Sequence, residues 1–178
     1  TKRKQVFRLR SHMGIDAFFR ECNKWGRFYN NALLAVERNN HGHAVILGLD
    51  QICHYPNLYK QKEDTRIVTD GKKEGRIGWD TTQITKPLML DQLRFATDGD
   101  STEDEFHFHP EFTIYDQEFL RELLSFENVD GKLQAAPGKH DDCIISWAIA
   151  FQMYLLERKK LQSFSSANIL TGGERNFA

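Results

Sequence analysis

Five consecutive apolar residues, Ala32-Leu33-Leu34-Ala35-Val36, restrict the fold of this chain more than any other stretch. They show no polar alternation, so a strand made from them must be covered on both faces, the habit of parallel sheets. Glu37 follows at the carboxyl end, where α/β sheets place their chemistry. By strand parity it shares a face with Leu33 and Ala35, not with Arg38. The flanks agree with a layered α/β order. Lys2 to Arg10 alternates basic and apolar residues (Val6, Phe7, Leu9) and predicts a strand with one basic side. Ile15, Phe18, Phe19, Cys22, Gly26 and Tyr29 recur at helical spacing and predict a helix over 15–29. Asn39, Asn40 and Gly42 start a second helix through Ile46, Leu49 and Ile52. Strand, helix, strand, helix is the α/β pattern.

A second constraint lies a hundred residues downstream, where Pro137-Gly138 ends one element and Asp141-Asp142 opens an apolar run from Ile144 to Leu156. On a helical wheel of ~100° per residue, Ile145, Ala148, Gln152 and Leu155 fall within ~40° of Asp141. Asp141 therefore continues the buried stripe, while Asp142 points to the flank. Carboxylates are seldom buried without a partner, and a divalent cation is a good one. Plainer roles exist for each acid: Asp141 as a helix cap, and Glu37 as a strand-end acid bonded to a helix N-terminus or an Arg. The combination is narrower. An acid ending a covered strand and an acid opening a late helix are what a two-metal phosphodiester hydrolase of the RNase H-like type needs, with ions ~4 Å apart.

The motifs themselves carry a resemblance. Ala35-Val36-Glu37-Arg38-Asn39-Asn40-His41-Gly42 resembles the second acidic motif in the nuclease domain of viral (tailed-phage) terminase large subunits. Gly138-Lys139-His140-Asp141-Asp142, followed by Ala148-Ile149-Ala150, resembles that family's last acidic motif. Gly78-Trp79-Asp80-Thr81-Thr82 with Thr85-Lys86-Pro87 resembles its intervening loop and helix start, and the helix around Phe119 to Leu123 before Gly131-Lys132 keeps its order. The resemblance spans residues 5–158. It implies an α/β, RNase H-like mixed central sheet flanked by helices, with an inserted β-hairpin, as a nuclease domain over 1–161. It implies two Mg²⁺ or Mn²⁺ ions held by Glu37 and Asp141, with Asp142 a ligand or an anchor behind them, and His140 orienting water, moving a proton or touching the scissile phosphate.

The same resemblance implies endonucleolytic cutting of concatemeric double-stranded DNA during genome packaging. The partners would be a terminase ATPase domain, a portal protein and a small terminase subunit, in the host cytoplasm and transiently at the procapsid portal. The family's acid on a first central strand is not found in these residues, and the sequence reads as beginning at the second strand. No G-x-x-x-x-G-K-[ST] phosphate loop occurs either. A Holliday-junction resolvase or a transposase would share the acids but not the Gly78–Pro87 segment. A non-cutting DNA-binding or docking module would use them structurally.

The remaining features refine this expectation. With 178 residues the chain is one domain by size, and its net charge of −1 leaves any nucleic acid to local patches. Lys60, Lys62, Arg66, Lys72, Lys73 and Arg76 outnumber the four acids among them and predict a ribbon that meets the DNA backbone, joined by Lys86 and Lys139. Cys22, Cys53 and Cys143 are far apart in apolar patterns, which predicts reduced thiols, and no stretch approaches the ~20 apolar residues of a membrane span. Thr85 and Pro87 open a helix; residues 98–105 read as an acidic linker; the pairs His41/His43 and His107/His109 lack a third zinc ligand. Strands are expected over 106–109, 113–115 and 132–136, a helix from Asp116 to Phe126, and a flexible tail over 162–178.

Overall fold

The computed structural model describes residues 3–61, 75–98, 112–129 and 132–171. Chain order is β1 (Arg3–Lys4), α1 (Ile15–Phe28), α2 (Asn40–Leu47), β2 (Lys60–Gln61), β3 (Arg76–Ile77), α3 (Thr85–Asp98), β4 (Phe112–Thr113), α4 (Gln117–Leu124), β5 (Phe126–Val129), β6 (Lys132–Ala135) and α5 (Asp142–Thr171). A π-helical turn over Gly48–Ile52 prolongs α2. The protein is mixed α/β. Among the described residues no helix is long and apolar enough to cross a membrane.

Two cores explain the unalternating run. Leu33 and Ala35 pack on a cluster that includes Leu90 and Leu93 of α3, Phe119 of α4 and Ile144, Ala148 and Ile149 of α5. Leu34 and Val36 pack on the other, around Phe19 of α1, Val45 of α2, Leu49 and Tyr55. Leu33 to Val36 thus each face a helical layer, and a polar side chain at any of these four positions would lose its water without a partner. Local signals place the helices. Asn30 and Asn31, both in the left-handed region, turn the chain out of α1 toward the run. Asn39 caps α2 by accepting from the Gly42 N–H, and Asp116 caps α4 by accepting from the Glu118 N–H.

Several expectations change. The segment 33–37 is extended but joins its neighbours only through isolated bridges, Leu34 to Leu58 and Glu37 to Trp79, both parallel. The strand expected over residues 2–10 forms a ladder only at β1, which pairs in parallel with β4. Three two-stranded sheets result, and no continuous central sheet runs through the described residues. Of the inserted β-hairpin expected, the described residues show the antiparallel pair β2–β3. Helix α4 stops at Leu124, and Phe126–Val129 instead forms an antiparallel pair with β6. Helix α5 runs through Thr171, into the expected tail, because no glycine or proline interrupts the chain between Asp142 and Gly172. Lys62, Arg66, Lys72, Lys73, His107 and His109 lie outside the described residues.

Candidate functional site

Glu37 is fixed by its own neighbours. Its main chain pairs along one edge: Val36 C=O accepts from Trp79 N–H at 2.8 Å, and Arg38 N–H donates to Trp79 C=O at 2.8 Å. Asn39 then does two things. Its Oδ1 accepts from Gly42 N–H at 2.8 Å, starting α2, while its Nδ2 donates to Glu37 Oε2 at 3.0 Å. The carboxylate is thereby tied to the first turn of the helix that follows it. Gly42 permits the close turn, since a Cβ there would stand 1.8 Å from the Glu37 carbonyl oxygen.

The Gly78–Pro87 stretch joins this corner to the late helix. Gly78 has a φ of +100°, and a Cβ on it would meet Val36 C=O at 2.8 Å. Asp80 Oδ1 lies 3.0 Å from Arg38 Nε, off the line of a hydrogen bond, so the pairing is one of charge; Arg76 approaches the other oxygen at 3.4 Å. Thr82 and Thr85 exchange hydroxyl-to-amide bonds (2.8 and 3.0 Å), closing the turn into α3 as a capping box does. Thr85 Oγ1 also donates to Asp80 C=O at 3.1 Å. The next residue, Lys86, reaches Asp141 Oδ2 at 2.9 Å in a half-buried ion pair.

Asp141 precedes α5, and its carbonyl accepts the first helical bond, from Ile145 N–H at 2.8 Å. Its carboxylate does not cap the helix. Glu122 of α4 takes that role, its Oε2 accepting from Cys143 N–H at 2.7 Å and from Ile144 N–H at 3.3 Å. Arg10 Nη1 donates to the other oxygen of this buried acid at 2.8 Å. Because Glu122 satisfies the helix start, Asp141 is left to meet Lys86. Sequence reading did not single out Glu122 or Arg10 for this. The available signal was an acid three residues after Phe119 on the buried face of α4.

Asp142 faces elsewhere. It is 72% exposed, lies 3.7 Å from Arg10 Nη2, and lines a cleft of about 900 Å³ with Arg8, Arg10, His12, Arg121, Lys139 and His140. Three of these cations are committed: Arg8 to Asp116 at 2.7 Å, Arg10 to Glu122, and Arg121 to Glu118. Lys139, His140 and His12 are exposed. Of the other expected DNA contacts, Lys60 and Arg76 are exposed on the β2–β3 ribbon. His41 and His43 are exposed on the first turn of α2.

Glu37 and Asp141 are the hard oxygen donors that Mg²⁺ or Mn²⁺ takes. Asp141 carries a lysine ammonium at the position a cation's charge would neutralise. Among the described residues no three His, Cys, Asp or Glu side chains come together. The donors fit such an ion in type, and water and phosphate oxygens would fill the rest of its shell.

All three cysteines are free thiols. Burial, followed by the charge of Glu21, pushes the Cys22 thiol up to about 11; burial, followed by its bond to Glu122, does the same for Cys143. Both should react with an alkylating reagent near pH ~8 far more slowly than a free thiol, read by mass spectrometry of the labelled sites. An unfolded chain ionises these thiols first. Folding stability should therefore fall as pH rises from 9.0 toward about 11, seen as a falling urea midpoint. Rapid labelling of Cys143 in the native protein would contradict its placement behind Glu122.

Comparison of the sequence with protein-family models and with curated proteins finds no match.

Proposed function

We propose that this chain is the nuclease domain of a terminase-type, metal-dependent endonuclease that cuts concatemeric double-stranded DNA during genome packaging with little sequence preference. The observation that supports it is a run of direct contacts linking three distant sequence segments. Glu37 pairs with Trp79, Asp80 is bonded to Thr85, and Lys86 holds Asp141. Those are the segments that carry the family resemblance.

Glu37 and Asp141 would hold divalent ions, which supply charge neutralisation at the phosphate and a more acidic attacking water. The chain's own residues do the rest. Asn39 orients the Glu37 carboxylate, and Lys86 orients that of Asp141. His140, exposed one residue before Asp141, can accept a proton from the attacking water on a ring nitrogen. Lys60, Arg76 and Lys139 can meet backbone phosphates, which fixes position on the duplex and carries no sequence information. Asp142, exposed and 3.7 Å from Arg10 Nη2, would anchor that arginine in this arrangement.

The test is nicking of supercoiled plasmid with Mn²⁺, alongside Mn²⁺ binding by calorimetry. Glu37→Gln and Asp141→Asn should each abolish cutting and weaken Mn²⁺ binding while the circular dichroism melt stays within a few degrees. Cutting that survives both substitutions would remove the assignment. A second reading, a phosphate-binding module that does not cut, draws on the basic cleft beside Asp142. It predicts DNA retardation that is lost in Lys139→Ala and indifferent to Asp141→Asn.

A further inference from the structure

The C-terminal half of α1 carries a cluster of rings at the surface. Phe28 is 71% exposed, Phe7 38% and Tyr29 36%. Phe7 lies against Trp25 with ring centres 4.3 Å apart, and Tyr29 stacks on Trp25 at 6.5 Å. Phe28 stands nearly at right angles to two of them, 78° from Trp25 and 86° from Tyr29. The rings hold one another in place, and the outermost is the least covered. Grouped apolar surface of this kind marks a place where something binds. The charge beside it is one-sided. At ~100° per residue, Arg20, Lys24 and Arg27 share a stripe of α1 about 60° wide, all exposed, and Phe28 follows ~40° from Lys24. Lys24 Nζ lies 5.4 Å from the centre of the Trp25 ring. Arg27 is braced by Asn23 Oδ1 and by the carbonyls of Cys53 and His54, and pairs with no acid among the described residues. Of the acids on this helix, Glu21 is taken up by Trp25 Nε1 at 3.0 Å and Lys24 at 3.3 Å, and Asp16 stands a turn before Arg20.

We propose that this patch binds single-stranded nucleic acid, with unpaired bases stacked on Phe28 and Tyr29 and the phosphates running along Arg20, Lys24 and Arg27. Rings alone would suit a proline-rich peptide, and cations alone would suit any polyanion. Adjoining stripes of each fit a chain that carries flat apolar faces on a negatively charged backbone. A duplex has the charge but keeps its base faces stacked inside, so it would meet the cations and leave the rings idle. A second copy would bring the same three cations against these, and like charges oppose such a self-complementary contact. Because stacking accepts any base, the patch would hold a strand without reading its sequence. The inference goes beyond the duplex cutting proposed above and does not depend on Glu37 or Asp141.

The test is fluorescence anisotropy of a labelled oligothymidylate of about twelve nucleotides with the full chain, in EDTA so that no cutting intervenes. Phe28→Ala should weaken binding about tenfold, and Phe28→Trp should restore it. Phe28 is exposed, so neither change should move the melting temperature. Lys24→Ala should weaken binding severalfold and flatten its salt dependence by roughly one ion. Binding to a duplex of the same length should be indifferent to Phe28→Ala. Unchanged binding of the single strand by Phe28→Ala, or an equal loss on the duplex, would overturn the proposal. So would an absence of strand binding together with a Phe28-dependent dimer, proline-rich peptide complex or association with phosphatidylserine vesicles, each of which would give the patch a different occupant.

Discussion

Gly42→Ala is expected to destabilise the protein by about 3 kcal/mol, lowering its melting temperature by roughly 10 °C. Two effects oppose each other at this position. Alanine is favoured over glycine inside a helix by about 1 kcal/mol. Against that, the new Cβ would sit 1.8 Å from the Glu37 carbonyl oxygen, and this neighbour is main chain in the paired segment, so it cannot swing aside. Crowding wins. Relief would come from pushing α2 and Glu37 apart, which also breaks the Asn39 bond to the carboxylate. Gly14→Ala makes the control, since its Cβ would find nothing nearer than Asp16 Oδ1 at 3.7 Å. Thermal melts of both variants decide the matter: a Gly42→Ala protein as stable as Gly14→Ala would show that the turn is not as tight as described.

Glu122→Ala should cost about 3 kcal/mol in urea unfolding. Removing one partner of a buried pair usually costs ~3–5 kcal/mol, and the half-exposed Arg10 keeps the loss near the low end. The acid answers three donors at once: the Arg10 guanidinium and the N–H groups of Cys143 and Ile144. Without it, two helix-start amides lose their acceptor inside the core, and the start of α5 can shift. Glu122→Gln keeps an acceptor and the shape but not the charge, so it should fall between wild type and alanine. A further consequence separates this role from simple packing. Asp141 should turn back to cap its own helix in Glu122→Ala, releasing Lys86, whose side-chain NMR signals would then lose the Asp141 contact. A loss below about 1 kcal/mol in the alanine variant would mean that water replaces the carboxylate at little cost.

Local chemistry was legible in the sequence and distant chemistry was not. The alternate assignment of Leu33 and Ala35 to one layer and Leu34 and Val36 to the other followed from parity and the absence of polar residues. The caps at Asn39 and Asp116 sit within three residues of the amides they serve, so a short window reveals them. Glu122 caps a helix that begins twenty residues later, and no window contains both partners. The same holds for Arg10 with Asp142 and for Lys86 with Asp141, where only the fold decides which acid meets which base. Two errors had local remedies. Asp130-Gly131 between alternating runs is a hairpin signal that predicts β5 and β6 better than a longer α4 does. The stretch after Leu161 looked tail-like by composition, yet contains nothing that stops a helix before Gly172. Strand pairing was less legible for another reason: strands are read from side chains, whereas a ladder also needs a partner main chain in register.

The ammonium of Lys86 on Asp141 is, in effect, a built-in counterion. A carboxylate already neutralised from within the chain does not require an outside charge for the polypeptide to fold around it. Chelators should therefore leave the melting curve of this protein untouched, unlike small domains whose folding is metal binding. An incoming cation would share Asp141 with an amine that already holds its Oδ2, which makes its uptake a sharing of charge and not a filling of empty space.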